Sequence, residues 1–346
     1  MAAEKSFEEY VGFDNKMWQV HKFGGTSVAN ADCLVKAASI VEEQINILDN
    51  SQEDNGVVPA SGVTNLAVVV SAMGGKPKVT DLLLDSVDAA ANRDDGMVNE
   101  KLNFILEKHS NCLDALQIDA AKSQALKENI KNDIDQIRDI LKTVALMKWK
   151  ASRISELVSG YGETWSAQIL SELLSSRSVE RQSSAGTNSS GAITHYFRYL
   201  DARRVITIDE DAIKDGAVCW DISSEKLKQV HEEEYAATFK NKSVQEQENS
   251  MMHFVITGYV ASNTQGVATT LQRDGSDYSA AIMGRLLQST NITIWTDVDG
   301  VLSADPRRVP DSYVLPEVSY NEAMELAYFG AKVIHPKTVS KDICCN

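Results

Sequence analysis

Positive charge is scarce in this chain. Lysine and arginine number 34 against 49 aspartates and glutamates in 346 residues, a formal net charge of −15. Nucleic acid is therefore not expected as a partner, because the field of the whole molecule repels its phosphates. A nucleotide is not excluded, since it needs only a local positive pocket. Long apolar runs are missing too: nothing approaches the roughly 20 residues of a membrane helix, so no membrane partner is expected. Cysteine is sparse and scattered. Cys33, Cys112, Cys219, Cys344 and Cys345 form no CxxC pair and join no histidine cluster. They read as reduced thiols of an intracellular protein, not as a disulfide frame or a zinc site. Residues 1–16, with Glu4, Glu8, Glu9 and Asp14, lack the apolar core of a signal peptide and the Arg/Ser bias of a transit peptide. No GxGxxG follows a strand-like run, which leaves a dinucleotide-binding fold without support. No internal repeat is visible.

What is present is an ordinary supply of core. Apolar residues make up 43% and charged residues 24%, and the length suits about two domains or one large α/β domain. The most informative stretch is Val20-His21-Lys22-Phe23-Gly24-Gly25-Thr26-Ser27-Val28. A short strand ends at Lys22, two glycines and two hydroxyls follow, and a helical pattern begins near Ala29. Strand, glycine turn and helix start form a geometry that holds phosphate, because backbone N–H groups come close and the helix N-terminus favours negative charge. The lysine precedes the glycines, so this is not a Walker A loop; an ordinary strand-to-helix turn is the plain alternative.

Residues 29–48 predict an amphipathic helix, with Leu34, Ala37, Ala38, Val41, Ile45 and Leu48 on one face. Residues 49–65 read as a loop. Residues 66–70 are a continuous valine-rich run, the mark of a buried parallel strand, and lead into Ser71-Ala72-Met73-Gly74-Gly75. Thr80 and Asp81 offer an N-cap for a helix to about Ala91. Two strand–turn–helix units predict a parallel α/β sheet. Residues 99–149 read as a helical hairpin outside the sheet, with runs such as Lys131-Asn132-Asp133 on solvated faces. Residues 154–158 lead into Ser159-Gly160-Tyr161-Gly162-Glu163 and a helix over 164–174, and the serine-rich stretch 175–191 reads as a surface loop. Further strands are predicted at 205–208, 253–259 and 291–295, an acidic surface helix and loop within 226–249, and helices opening near Ser276 and over 320–329.

Glycine- or hydroxyl-rich turns recur at these strand ends, where an open α/β sheet binds its ligands. The strings Lys22-Phe23-Gly24-Gly25-Thr26-Ser27, the valine-rich strand into Ser71, Gly162-Glu163, Arg273-Asp274-Gly275-Ser276-Asp277-Tyr278, Trp295-Thr296-Asp297-Val298-Asp299-Gly300 and Phe329-Gly330-Ala331-Lys332-Val333-Ile334-His335-Pro336 span residues 20–336 in order. Together they resemble the amino acid kinase family, within it the aspartate kinases, and most nearly the kinase part of plant-type bifunctional aspartate kinase–homoserine dehydrogenases. The resemblance implies a three-layer α/β/α sandwich with a mainly parallel central sheet. It implies an extension over 1–16 and a catalytic domain over 17–346, with 17–200 mainly binding the amino acid and 201–346 mainly the nucleotide.

The implied reaction is ATP-dependent phosphorylation of the side-chain carboxylate of L-aspartate, the first step towards lysine, threonine and methionine. Lys22 would meet the transferred phosphoryl group, Gly24 and Gly25 would offer it N–H groups, and Asp277 would hold the lysine. Arg273 would take the α-carboxylate and Glu163 the α-ammonium, with Ser71, Thr80 and Ser276 lining the same pocket. Thr296 and Asp297 would contact the adenosine, and Arg307 and Lys332 the β- and γ-phosphates. Mg²⁺ is implied with ATP, with no carboxylate cage of its own. The plain alternative for Arg273 and Glu163 is a structural ion pair, and for Ser71 and Thr80 a turn or cap role.

Leu302 stands where bacterial relatives commonly carry an aromatic. The family's regulatory domains and a last sheet strand would follow this chain, so an uncovered edge at 251–259 or 291–295 is expected, as is insensitivity to lysine and threonine. A homo-oligomer is left open, and the expected location is cytoplasmic, or plastidic for a plant-type precursor. The competing functional readings are a sister kinase acting on another amino acid and a non-catalytic sensor of the same fold.

Overall fold

The computed structural model describes residues 17–53, 64–148, 152–184, 193–209, 217–271, 275–298, 300–304 and 309–328. In chain order run β1 (Met17–Phe23), α1 (Ala31–Glu53), β2 (Thr64–Val70), α2 (Val79–Ala91), α3 (Asp95–Ala115), α4 (Ala120–Met147), α5 (Ser152–Ser159) and α6 (Tyr161–Ser184). Then follow β3 (Thr194–Leu200), β4 (Thr207–Asp209), β5 (Ala217–Val218), α7 (Trp220–Phe239), α8 (Val244–Glu248), β6 (Ser250–Thr257), β7 (Val260–Asn263), β8 (Ala268–Thr270), α9 (Gly275–Leu286), β9 (Asn291–Trp295) and α10 (Tyr320–Tyr328).

The main sheet has the order β3-β6-β2-β1-β9, and all its pairings are parallel. Every residue of β2 and β6 is buried, as strands covered on both faces must be. The pleat sends alternate residues of β2 to opposite layers. Leu66, Val68 and Val70 pack with Leu34 and Val41 of α1, Leu83 of α2, Ile105 of α3, Ile134 of α4 and Ile169 of α6. Ala67 and Val69 pack with Leu227 of α7, Ile282 of α9 and Ile208 of β4. The expected three-layer α/β/α sandwich is therefore present. A second sheet of order β5-β4-β7-β8 sits within the α7 and α9 layer; only its β4 was anticipated.

Several sequence expectations need correction. The first helix begins at Ala31, after a short 3-10 turn over Gly25–Val28, and runs to Glu53, through part of the expected 49–65 loop. Helix α2 starts at Val79, with Lys78 at the cap and no side-chain cap hydrogen bond, so Thr80 lies inside the first turn and is not the cap. Residues 154–158 belong to helix α5, so Gly162-Glu163 follows a helix and not a strand. Helix α6 continues to Ser184 through half of the expected surface loop. Its serines are accommodated because their hydroxyls find carbonyls: Ser175 Oγ donates to Ser171 O at 2.8 Å and Ser178 Oγ to His195 O at 2.6 Å.

The α3–α4 hairpin is real, turned by Asp119, whose carboxylate accepts from the N–H groups of Ala121 and Lys122. It lies outside the sheet as expected, and it is packed into the core that covers one face of that sheet, where Leu102, Ile105, Ile130 and Ile137 are buried. Asp133, expected on a solvated face, accepts from Trp165 Nε1 at 2.9 Å, and burial pushes its carboxyl up from the ordinary range. Of the two strands expected at risk of exposure, β6 is interior. Among the described residues β9 ends the sheet on one side, as β3 does on the other, with Ile292 39% exposed. Among the described residues no helix is long and apolar enough to cross a membrane, and Cys33, Cys112 and Cys219 are free thiols.

Candidate active site

Parallel registry aligns the C-terminal ends of four strands. Val70 lies beside Thr257 on one side and Phe23 on the other, and Phe23 lies beside Trp295. The turns that leave these strands are tied by backbone hydrogen bonds: Gly74 N–H to Gly25 O at 2.8 Å, Gly258 N–H to Val70 O at 2.8 Å, and Ser71 N–H to Phe23 O at 3.2 Å. Two glycines are required for this closeness. A side-chain carbon at Gly74 would stand 2.5 Å from the carbonyl carbon of Gly25, and one at Gly258 would stand 2.6 Å from Ser276 Cβ.

Lys22, near the end of β1, is brought against Asp277 in the first turn of α9, with Nζ 2.5 Å from Oδ1. The helix N-terminus is a favourable place for that carboxylate. Next to it, Ser276 Oγ accepts from Ser71 Oγ at 2.7 Å. Glu163 opens α6 and is buried, 4% exposed. Its carboxyl accepts from the backbone N–H of Ala72 and from its own N–H, yet burial outweighs both and pushes its pKa up to about 8. Its Oε2 has no hydrogen-bond partner. Thr80 is half-buried at the start of α2, beyond the 73–79 loop closed by Val79 N–H to Met73 O at 3.1 Å.

Thr296 and Asp297 follow β9, where the Thr296 hydroxyl donates to Asp297 at 3.2 Å, both exposed. Trp295 anchors this strand end. Its indole stacks on His21 and Phe23, and Nε1 donates to His21 Nδ1 at 3.1 Å. Burial lowers the His21 pKa to about 4, so the ring is neutral and Nδ1 is free to accept. Arg273, Arg307 and Lys332 lie outside the described residues. Sequence reasoning assigned no site role to the Ala72 N–H, Gly74 or Gly258. Gly74 and Gly258 each carried a readable signal, a glycine in a turn after a strand; the Ala72 N–H carried none. Among the described residues no group of three or more His, Cys, Asp or Glu side chains is arranged to hold a metal.

The close approach at Gly258 is testable. Gly258→Ala is expected to lower both stability and turnover, because a methyl must displace Ser276, beside Asp277. Overpacking of this kind costs about 1–3 kcal/mol. A thermal melt and a rate assay check it; an unchanged melting temperature would show that α9 shifts freely.

The model of the Amino acid kinase family matches residues 17–340. The chain belongs to that family. This amino acid kinase is 34% identical to the bifunctional aspartokinase/homoserine dehydrogenase 2, chloroplastic, of Arabidopsis thaliana, over 94% of its own length and 30% of that relative's. It is 30% identical to the lysine-sensitive aspartokinase 3 of Escherichia coli, over 92% of its own length and 58% of the relative's. Among solved structures it is similar to E. coli aspartokinase III in complex with aspartate and ADP, with a TM-score of 0.66 and 27% identity, over 93% of this chain and 58% of that one. The chain thus spans about a third of the length of the plant relative and somewhat over half of the bacterial ones.

Proposed function

We propose that this amino acid kinase transfers the γ-phosphoryl group of ATP to the side-chain carboxylate of L-aspartate, giving 4-phospho-L-aspartate, the first step towards lysine, threonine and methionine. The observation that carries the reading is a two-residue bridge. Ser71 bonds Ser276, next to the Asp277 that pairs with Lys22, while its neighbour Ala72 gives its N–H to Glu163. One turn thus joins a cation suited to a phosphoryl group with a buried carboxyl that keeps one oxygen, Oε2, without a hydrogen-bond partner. A short amino acid with a second carboxylate suits that pairing. Its α-ammonium meets Glu163, and Ser71, Thr80 and Ser276 line the pocket.

The chemistry asks little of proton transfer. A side-chain carboxylate is already ionised at neutral pH, with a reference pKa of about 4. Its oxygen attacks the γ-phosphorus, the bond from that phosphorus to the β,γ-bridging oxygen breaks, and ADP departs with that electron pair. Catalysis is then mainly alignment and charge neutralisation. Gly24 suits a phosphate neighbour, because among the described residues a side-chain carbon there would meet only Lys22 Nζ, at 3.6 Å. That open cradle beside an ammonium is where the N–H groups of Gly24 and Gly25 would face the phosphates. Thr296 and Asp297 stand on the nucleotide side, with Arg307 and Lys332 assigned to the β- and γ-phosphates. Mg²⁺ arriving with ATP supplies further neutralisation of phosphate charge. The amino-acid contacts fall mainly within 17–200 and the nucleotide contacts mainly within 201–346.

The direct test traps the acyl phosphate with hydroxylamine, offering aspartate, glutamate or acetylglutamate in turn with ATP. A signal with aspartate is expected; one with glutamate alone would reassign the substrate, and none with any would favour a sensor. Arg273→Ala is expected to raise the aspartate requirement by at least about tenfold, by loss of a charge-assisted fork to the α-carboxylate. ATP affinity should stay within a few-fold. A fall in ATP binding with aspartate binding unchanged would move Arg273 to the nucleotide side.

A further inference from the structure

Helix α3 supplies none of the residues assigned so far, yet one of its lysines reaches the site. Lys108 Nζ donates to the carbonyl oxygen of Gly74 at 2.5 Å. On the other side of that residue, Gly74 N–H donates to Gly25 O. Gly74 is therefore gripped at both of its backbone polar groups, by α3 and by the glycine turn after β1. The next residue, Gly75, has φ +99°, and a side-chain carbon there would stand 3.5 Å from Lys108 Nζ.

The other lysines that α3 and α4 turn towards neighbouring elements are spent on carboxylates: Lys101 on Asp85, Lys122 on Glu172 and Lys127 on Asp114. Among the described residues, no carboxylate forms an ion pair with Lys108. The neighbouring thiol one turn on, Cys112, is pushed up to about 12 by burial and carries no charge. Burial also lowers the Lys108 pKa, the sign of an ammonium partly withdrawn from water without a counter-ion. A cation held this way for a single carbonyl makes a charge-assisted bond stronger than a neutral one.

We propose that Lys108 is a positioning residue, clamping the 71–75 turn against the Gly24–Gly25 turn and so setting the distance between the amino-acid pocket and the phosphate cradle. The turn it holds contains Ser71 and Ala72, the two residues that bridge Ser276 and Glu163. The effect on rate rests on the function proposed above; the clamp itself does not. A displacement of about 1 Å in such a site can cost on the order of 100-fold in rate, so a remote clamp can matter as much as a direct contact.

Two variants test this, Lys108→Met, which keeps the stem and removes the donor, and Lys108→Arg, which restores one. In K108M, turnover should fall roughly 10- to 100-fold with both KM values within about threefold, and K108R should recover most of the loss. Amide hydrogen exchange over residues 71–76 of the unliganded protein should quicken in K108M and return towards wild type in K108R. Unchanged exchange in K108M, a turnover within twofold of wild type, or an arginine variant as poor as methionine would each overturn the clamp. The exchange measurement needs no substrate. A wild-type protein inactive on aspartate would overturn the proposed function and leave the clamp to be decided by exchange alone.

Discussion

Lys22→Ala is expected to cut turnover at least about 100-fold while leaving the fold standing. The lysine sits near a strand end with its side chain 9% exposed, and its work is electrostatic. Without it, charge developing on the transferred phosphoryl group loses its nearest fixed cation, a loss comparable to deleting one preorganised donor elsewhere. The fold should tolerate the change because the stranded partner, Asp277, retains 16% exposure and the first turn of α9, where the helix dipole favours a negative charge. Turnover and far-UV circular dichroism, measured on the same preparation, check both halves. Activity within a few-fold of the parent would sink the role given to Lys22.

Glu163→Gln should have effects of opposite sign on binding and on stability. Aspartate affinity is expected to fall at least about 30-fold, since an ammonium loses the buried carboxylate that pairs with it. Stability should rise at neutral and alkaline pH, for a reason that follows from linkage. Burial lifts the Glu163 carboxyl from its ordinary 4.5 to about 8, so between those values the folded chain binds a proton that the unfolded chain has released. Stability from this group is complete below about 4.5, declines as pH rises through that window, and levels off above 8. Glutamine has no such decline, so the melting temperature of E163Q should gain on wild type as pH climbs from 5 to 8. In the wild type, aspartate must find the carboxylate form. Its affinity should rise towards pH 8, and binding at pH 7 should release a proton, detectable by calorimetry in buffers of different ionisation enthalpy. An aspartate affinity that is flat with pH would contradict the pairing.

The parts of the fold that could be read in advance were those where one physical signal dominates. The run Leu66-Ala67-Val68-Val69-Val70 admits little besides a doubly covered strand, and β2 is one. Strand β3 escaped notice because Thr194-His195-Tyr196-Phe197-Arg198-Tyr199-Leu200 is half-buried and rich in polar tips, so it lacks an aliphatic run. The segment Ile154-Ser155-Glu156-Leu157-Val158, apolar at three positions and polar at two, is too short to tell strand from helix by period, and it forms part of helix α5. The same division runs through the site. Lys22, Ser71 and Ser276 announce themselves at turns after strands or before helices. Lys108 and Asp133 do not, because a charged residue on a long helix looks solvated until the neighbouring helix or turn is in place. That Lys22 meets Asp277 was accessible only through the family resemblance, since no local rule links residues so far apart.

The place of β1 in the sheet also governs how the chain is assembled as it is made. One neighbour, β2, follows soon after, but the other side waits for β9, where Thr290 Oγ1 donates to Trp18 O across 272 positions of sequence. Until then β1 is an edge strand with unpaired backbone groups along one side, a template for wrong partners. Lys22 likewise has no Asp277, so an emerging chain holds half of an ion pair and no phosphoryl-transfer site. Parallel pairings between such distant segments close slowly, because loop entropy is lost before the contacts compensate. Recovery of activity on refolding should therefore trail the return of helical signal, keeping step with the docking of β9 rather than with the early formation of the N-terminal strands and helices.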